Sequence, residues 1–549
     1  MKTIKFTIII MLCSIIIGAC SKKSATFPHL VAVPENAAIV LSLNAKQIVE
    51  KAGLNRIEQY RFYSLILEEI ENEPDNEAKI AKDFLKDTRT SGLNLDNIFA
   101  YASNGDSDLC FGITIKIDNL KKFENLLKEA GLTTEIDDRQ IDFPDGGNIQ
   151  WNDEIVVISN NAVENGIDIF NKDESKSILA KELFKSEYSD KNDAYMYMEY
   201  NFIIDLLKKI SYYGYDTDLA TLSNLEMYKD MLISASFNAE KGEFVAKGKM
   251  LPAEKVNEVF GKFYKTDFNN DLYSYFPDKS LLAVKFALKP LDAYNYYKKT
   301  LGIGQTDETS ETTTEKVEIL DEYGDVIDEE DVVVEKYRGY TPNYNLMLKL
   351  LVEQYDANII SVLESLTGDF IGSLSGLDNP VKPEFAVATG IVEGKEKTII
   401  DLIEKCGFDK NSDGYYSFSI QNMNLYFAVN KNAAYLTAST ELMAKFLDKG
   451  YSSNITSAKD VGKEIQNASG YFYLDLNIND YPPMLKVLLG MTAEGQALLP
   501  LLEKLKSVNL STTDLNNCEL KLKFTDNDYA SKILVKGIDE LISNNLNLR

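Results

Sequence analysis

The sequence predicts an α+β fold of two tandem pseudo-repeats, each an antiparallel-rich sheet with packed helices. Three observations carry this expectation. A turn-strand opening occurs twice: Val33-Pro34-Glu35-Asn36-Ala37-Ala38-Ile39-Val40-Leu41 reads against Phe276-Pro277-Asp278-Lys279-Ser280-Leu281-Leu282-Ala283-Val284, an offset of 243. Further ordered matches follow at an offset of 276, and long-period self-similarity of this kind is the signature of an internal duplication. Strand-like runs also succeed one another through short turns such as Glu240-Lys241-Gly242, which favours antiparallel neighbours over the strand-helix alternation of a parallel sheet.

In chain order, period-two alternation predicts strands at 98–103, 109–117, 148–151, 154–159, 194–200, 232–238 and 243–250. Helical spacing of apolar residues predicts helices at 46–51, 57–86, 120–130, 201–210 and 253–263. The helix ending Leu126-Leu127-Lys128-Glu129-Ala130-Gly131 matches Leu402-Ile403-Glu404-Lys405-Cys406-Gly407, each stopped by the glycine that a left-handed cap selects. The same offset relates Asn148-Ile149-Gln150-Trp151 to Asn424-Leu425-Tyr426-Phe427 and Ala194-Tyr195-Met196-Tyr197-Met198-Glu199 to Gly470-Tyr471-Phe472-Tyr473-Leu474-Asp475. It also relates Gly242-Glu243-Phe244 to Cys518-Glu519-Leu520. The jump in offset requires an insertion of 33 residues in the second copy, and 305–337 has that length, with 13 acids and two lysines. Its Thr- and acid-rich start has a disordered composition. Residues 316–320 and 332–336 close as a projecting hairpin around Tyr323-Gly324. The chain therefore divides into a signal peptide (1–19), a leash (20–32), a first repeat (33–270) and a second repeat (271–549) holding the acidic insert 305–337.

The beginning gives an address. Lys2 and Lys5 precede an apolar run from Phe6 to Ile17, too short to span a bilayer and typical of an export signal. Ile17-Gly18-Ala19-Cys20 resembles a bacterial lipobox, which implies cleavage before Cys20 and lipid on its thiol. No other stretch reaches spanning length without charges, so the expected partner is the membrane, reached through lipid on Cys20. Surface lipoproteins of Bacteroidota carry acids just after the lipidated Cys, whereas this leash carries Lys22 and Lys23. By that resemblance it is an outer-membrane lipoprotein facing the periplasm, with surface exposure as the alternative.

Composition excludes several activities. Lys and Arg number 58 against 85 Asp and Glu, a net charge of −27, and such an acid excess excludes bulk nucleic-acid binding. His29 is the only histidine, which sets aside Ser-His-Asp and Cys-His catalysis, two-His zinc sites and His-ligated haem. With Cys13 and Cys20 in the leader, Cys110, Cys406 and Cys518 remain, expected as buried small residues with at most one disulfide.

Asp409, Asn411 and Asp413, followed by Gly414, match the first half of an EF-hand loop. Position twelve is Ile420 instead of a bidentate Glu, so a polar turn is the preferred reading, a weak Ca2+ site the alternative, and no other cofactor is expected. Among so many acids no spacing singles out a carboxylate pair for glycoside hydrolysis. Glu199 with Asp475 and Glu243 with Glu519 recur as strand residues. The 242–249 segment fails as a phosphate loop because Met250 replaces the Ser or Thr, and 372–376 fails as a nucleophile elbow because Leu374 occupies its centre. Tyr195, Tyr197, Tyr471 and Tyr473 alternate as core residues. Tyr60, Tyr63, Tyr212, Tyr213 and Tyr215, or Tyr294, Tyr296 and Tyr297, are candidates for exposed platforms toward a glycan or a protein. No ligand-binding residue is singled out; the groove between the repeats is the default place for one.

The lipobox, the Val33-Pro34-Glu35-Asn36-Ala37 opening and its repeat as Phe276-Pro277-Asp278-Lys279-Ser280 resemble a Bacteroidota family of envelope lipoproteins catalogued only as a domain of unknown function. The resemblance covers the mature chain and implies no activity or catalytic residue. A non-catalytic envelope lipoprotein that binds a protein partner or assembly is the favoured expectation. Glycan or peptide capture between the repeats is the alternative, and a carboxylate-dependent hydrolase is the third.

Overall fold

The computed structural model describes residues 28–71, 80, 88–104, 109–132, 139–143, 146–160, 170, 173–212, 225, 228–300, 312–320, 326–335, 358–377, 384–405, 407–408, 410–420 and 423–546. Its strands are β1 (Ile39–Leu43), β2 (Leu93–Asn104), β3 (Leu109–Ile117), β4 (Gln140–Asp142), β5 (Asn148–Trp151), β6 (Ile155–Ser159), β7 (Ala194–Glu199), β8 (Leu232–Glu240) and β9 (Glu243–Leu251) in the first half. The second half holds β10 (Leu282–Ala287), β11 (Thr312–Leu320), β12 (Val326–Glu335), β13 (Leu366–Gly376), β14 (Glu384–Ile391), β15 (Tyr416–Ile420), β16 (Met423–Val429), β17 (Ala433–Thr437), β18 (Gly470–Asp475), β19 (Leu505–Thr512) and β20 (Asn517–Phe524). The helices are α1 (Ala45–Ala52), α2 (Arg61–Glu71), α3 (Leu120–Glu129), α4 (Glu182–Glu187), α5 (Tyr200–Tyr212), α6 (Glu254–Phe263), α7 (Pro290–Thr300), α8 (Glu396–Lys405), α9 (Thr440–Leu447), α10 (Gly462–Asn467), α11 (Pro483–Gly490), α12 (Ala493–Leu502) and α13 (Ala530–Leu546).

All strands but β11 and β12 join one antiparallel sheet of 18 strands. The pairings run β4-β5-β6-β3-β2-β1-β7-β8-β9 through the first half. They continue β20-β19-β18-β10-β13-β14-β17-β16-β15 through the second. The halves meet where β9 pairs with β20. Counted from the outer edges inward, both halves pair their strands by the same scheme. The expected hairpin in the acidic segment is formed by β11 and β12, which among the described residues pair only with each other and fall between β10 and β13 in the chain.

Because side chains alternate across a strand, the register defines two faces. On one, here the tyrosine face, Val40, Phe99, Tyr101, Tyr195 and Tyr197 pack beneath Val33, Ile178 and Phe184. In the second half the same face holds Tyr435, Tyr471 and Tyr473 beneath Leu272, Phe276, Met443 and Phe446. On the opposite face Ile98, Ile115, Trp151 and Val156 pack beneath Val49, Ile57, Tyr60 and Phe123. Its second-half counterpart is a smaller buried cluster of Ile391, Ile399 and Ala434.

Several expectations need correction. The helix expected over 57–86 is broken: Leu54–Gln59 is a 3-10 segment, Tyr60 is extended at φ −95° and ψ 139°, and α2 starts only at Arg61. The break lets Leu54, Ile57, Tyr60 and Tyr63 all reach one cluster, which a continuous helix would spread around its circumference. Trp151 pairs with Val156, second in β6, and Val429 pairs with Ala434, second in β17, so the residue at the place of Trp151 is Val429, not Phe427. A slip of two leaves every side chain on its own face, which is why sequence matching did not resolve it.

Candidate functional site

The β9–β20 seam is the central feature of the sheet. Glu243 lies opposite Lys523, Ala246 opposite Leu520 and Lys249 opposite Asn517. Both strands alternate charged with small or apolar residues, as Lys247-Gly248-Lys249 and Lys521-Leu522-Lys523, so their charges share the tyrosine face. One row across that face reads Ser42, Tyr195, Ser236, Lys247 and then Glu519, Ser511, Tyr471, Lys285. Read outward from the seam, each side runs charged residue, serine, tyrosine. Lys247, not the expected Glu243, therefore stands at the place of Glu519. The difference arises because Lys241-Gly242 make a two-residue turn, with Gly242 at φ +75°, whereas the β19–β20 connection between Thr512 and Cys518 is longer.

A groove of about 350 Å3 follows this row, lined by Glu187, Tyr195, Ser234, Lys247, Ser511 and Asn517 among others. Lys249 Nζ donates to Glu187 Oε1 of α4 at 2.6 Å. Lys247 stands 3.5 Å from Glu519, and Lys521 stands 2.6 Å from Glu519 and 3.2 Å from Glu464 of α10. Lys523 Nζ donates to Glu464 at 3.1 Å. Burial alone would raise the Glu464 pKa, but the Asn509 amide, Lys523 and Lys521 outweigh it and hold the carboxyl below its ordinary value. Burial would likewise lower Lys521, and Glu519 with Glu464 reverse that. Ser234 Oγ donates to the Tyr195 hydroxyl at 2.9 Å, and Asn509 Nδ2 donates to the Tyr471 hydroxyl at 3.1 Å. The arrangement offers fixed donors and acceptors to a polar ligand. Glu464, held ionised, is the reverse of the raised-pKa acid that glycoside transfer requires.

The opposite face of the seam is apolar. Phe237, Ala246, Leu520, Leu510, Phe472 and Val284 form one row across six strands. Phe237, Leu520 and Leu510 are 41%, 43% and 40% exposed, while the next row, at Ala239, Phe244 and Leu522, is covered by Ala530, Ile533 and Leu534 of α13.

The sequence-derived candidates fall elsewhere. Asn411 Oδ1 accepts from the amides of Asp413 and Tyr415, and Gly414 takes φ +94°, the geometry of a polar turn. Asp409, Cys406 and Cys20 lie outside the described residues. Among the described residues no group of three or more His, Cys, Asp or Glu is arranged to hold a metal ion. Tyr60 and Tyr63 are core residues, not platforms. Tyr213 and Tyr215 are outside the described residues, as is the Tyr212 side chain. Tyr297 is exposed and meets Tyr296 edge-on at 5.7 Å, with Tyr294 half-buried on the same helix. Tyr197 donates to Glu199 at 2.9 Å and Tyr473 to Asp475 at 3.5 Å, so the recurring acids satisfy buried tyrosines. Of the cysteines, Cys110 and Cys518 are free, and Cys518 is exposed at the seam, against the expectation of a buried residue. His29 is buried beside Phe99 with Nε2 2.9 Å from the Asn97 carbonyl, and burial lowers its pKa to about 4. The seam lysines were missed because Lys-x-Lys on a strand reads as an ordinary solvated face until distant strands pair.

Residues 31–531 match the family described as Domain of unknown function (DUF4836), and the chain belongs to that family. No curated protein and no solved structure matches it.

Proposed function

We propose that this chain is a non-catalytic lipoprotein of the cell envelope, held in the outer membrane by lipid on Cys20 and facing the periplasm, which binds a protein partner through the seam of a duplicated body. The observation that carries the reading is the exposed apolar row at Phe237, Leu520 and Leu510. A contiguous apolar patch on an otherwise acidic body marks a surface that is covered in use. Duplication is supported by the common pairing scheme and by the charged-Ser-Tyr order on both sides of β9–β20. The export signal and the Ile17-Gly18-Ala19-Cys20 sequence support the address.

The polar groove on the tyrosine face supports a second reading, capture of a glycan or peptide against Tyr195, Ser234, Lys247 and Ser511. Affinity purification from crosslinked cells separates the two. The first reading expects a reproducible envelope partner that is lost in Leu520→Asp. Recovery of the chain alone at good crosslinking yield would overturn it, and a glycan-induced rise in melting temperature lost in Lys247→Ala would establish the second.

A further inference from the structure

Helix α11 is turned inside out. Met484, Val487 and Leu488, with Met491 at the C-cap, occupy one side at helical spacing and are 65%, 52%, 54% and 73% exposed. The one charged residue in the helix, Lys486, points the other way: its Nζ donates to Asn479 Oδ1 at 2.5 Å and to Glu503 Oε1 at 3.1 Å. A helix facing water has the reverse polarity. α11 has no buried residue, it packs on α12, and Leu498 of α12 is exposed as well.

We propose that the α11–α12 hairpin dips into the headgroup–acyl boundary of the bilayer leaflet that carries the Cys20 lipid, as a second membrane contact. This rests on the reading of Cys20 as the anchor. Residues 20–27 separate Cys20 from Pro28, the first described residue, and so short a leash spans about 28 Å at full extension, which keeps the body at the membrane surface. The hairpin from Pro482 to Glu503 contains no aromatic residue and no arginine, the residues that anchor protein hot spots, and Met484, Val487, Leu488, Met491 and Leu498 give it an exposed apolar side while α12 packs on α13. The chain's net charge of −27 repels an anionic surface, so a contact has to be apolar, and the only cation of α11 is accordingly turned inward. Two contacts, lipid and hairpin, fix the orientation of the body, so that the seam is presented in one direction and does not swing on the leash.

The test is flotation of the mature chain carrying Cys20→Ala, which has no lipid, with vesicles of phosphatidylethanolamine and phosphatidylglycerol. The expected result is co-flotation, reduced about tenfold or more by Met484→Glu with Leu488→Glu and Met491→Glu, at an unchanged thermal melt. Failure of the Cys20→Ala chain to float, or flotation indifferent to the three substitutions, overturns the proposal. So does conversion of a dimer to a monomer by those substitutions without any vesicle binding, which would make the hairpin a contact between two copies. Leu488→Trp gives an independent readout, since its added fluorescence should shift to the blue and be quenched by brominated lipid; an unshifted, unquenched signal counts against insertion. Palmitate labelling of the unmodified chain tests the anchor separately, and a negative result there leaves the vesicle result standing.

Discussion

In the first half of the sheet, Ile98, Ile115, Val156 and Trp151 build a large core beneath α1, α2 and α3; in the second, Tyr435, Tyr471 and Tyr473 build theirs on the tyrosine face beneath α9 and the 270–276 segment. The strands pair by one scheme, yet the weight of packing has moved through the sheet. Backbone pairing fixes which residues share a face, and the connecting segments then decide which face is buried. The position of Leu43 and Ile98 in the first half is taken in the second by Phe286 and Phe370, stacked at 5.0 Å, with Phe286 43% exposed. At the place of Ser42 stands Lys285, buried on the tyrosine face, its Nζ bonded to the carbonyls of Ile465 and Ala468 at the end of α10 and 4.5 Å from the Phe268 ring centroid. Burial lowers the Lys285 pKa to about 8, while Asp369 acts against that.

The contrast can be broken first at the cores. Phe446 is 1% exposed and stacks on Tyr435 at 4.6 Å, so Phe446→Ala should cost about 3–5 kcal/mol in urea unfolding. Phe286→Ala, on the open face, should cost about 1 kcal/mol or less. Equal losses would mean that both faces of the second half are covered.

A second difference is titratable. His29 is buried neutral in the first half with its pKa lowered from 6.5 to about 4, so its contribution is intact above pH 6.5 and is lost as pH falls toward 4. The loss amounts to about 3 kcal/mol. His29→Gln should flatten the fall in melting temperature across that interval; an unchanged slope would place the acid sensitivity in other groups. The smallest effect is expected from deleting 305–337. Among the described residues the hairpin β11–β12 pairs only with itself, so the melt should change by about 0.5 kcal/mol or less, and loss of cooperative unfolding would contradict the proposal that 305–337 is an insertion.

Much of the sheet was legible in the sequence because alternation survives in short strands. β3 and β5 lie on the expected residues, and α3 with α8, like β7 with β18, keeps the offset of 276 throughout. What stayed hidden depends on pairing over long separations. Trp151 can be matched with Phe427 or, two residues on, with Val429 without a change of face, and Lys247 and Glu519 became neighbours only through the β9–β20 pairing. The break at Tyr60 was equally invisible, since its cause is a cluster assembled from β2, β3 and α3. The lysines of the seam, Lys247 and Lys249 on β9 and Lys521 and Lys523 on β20, form one charged surface only once those two strands pair.

The most direct test of the account places a photo-crosslinking amino acid at Leu520 in intact cells, with a second probe at Thr313 in the insert as reference. A discrete adduct with an envelope protein is expected from Leu520 and none from Thr313. No adduct from Leu520, or the same adducts from both positions, would contradict the seam as a partner-binding surface.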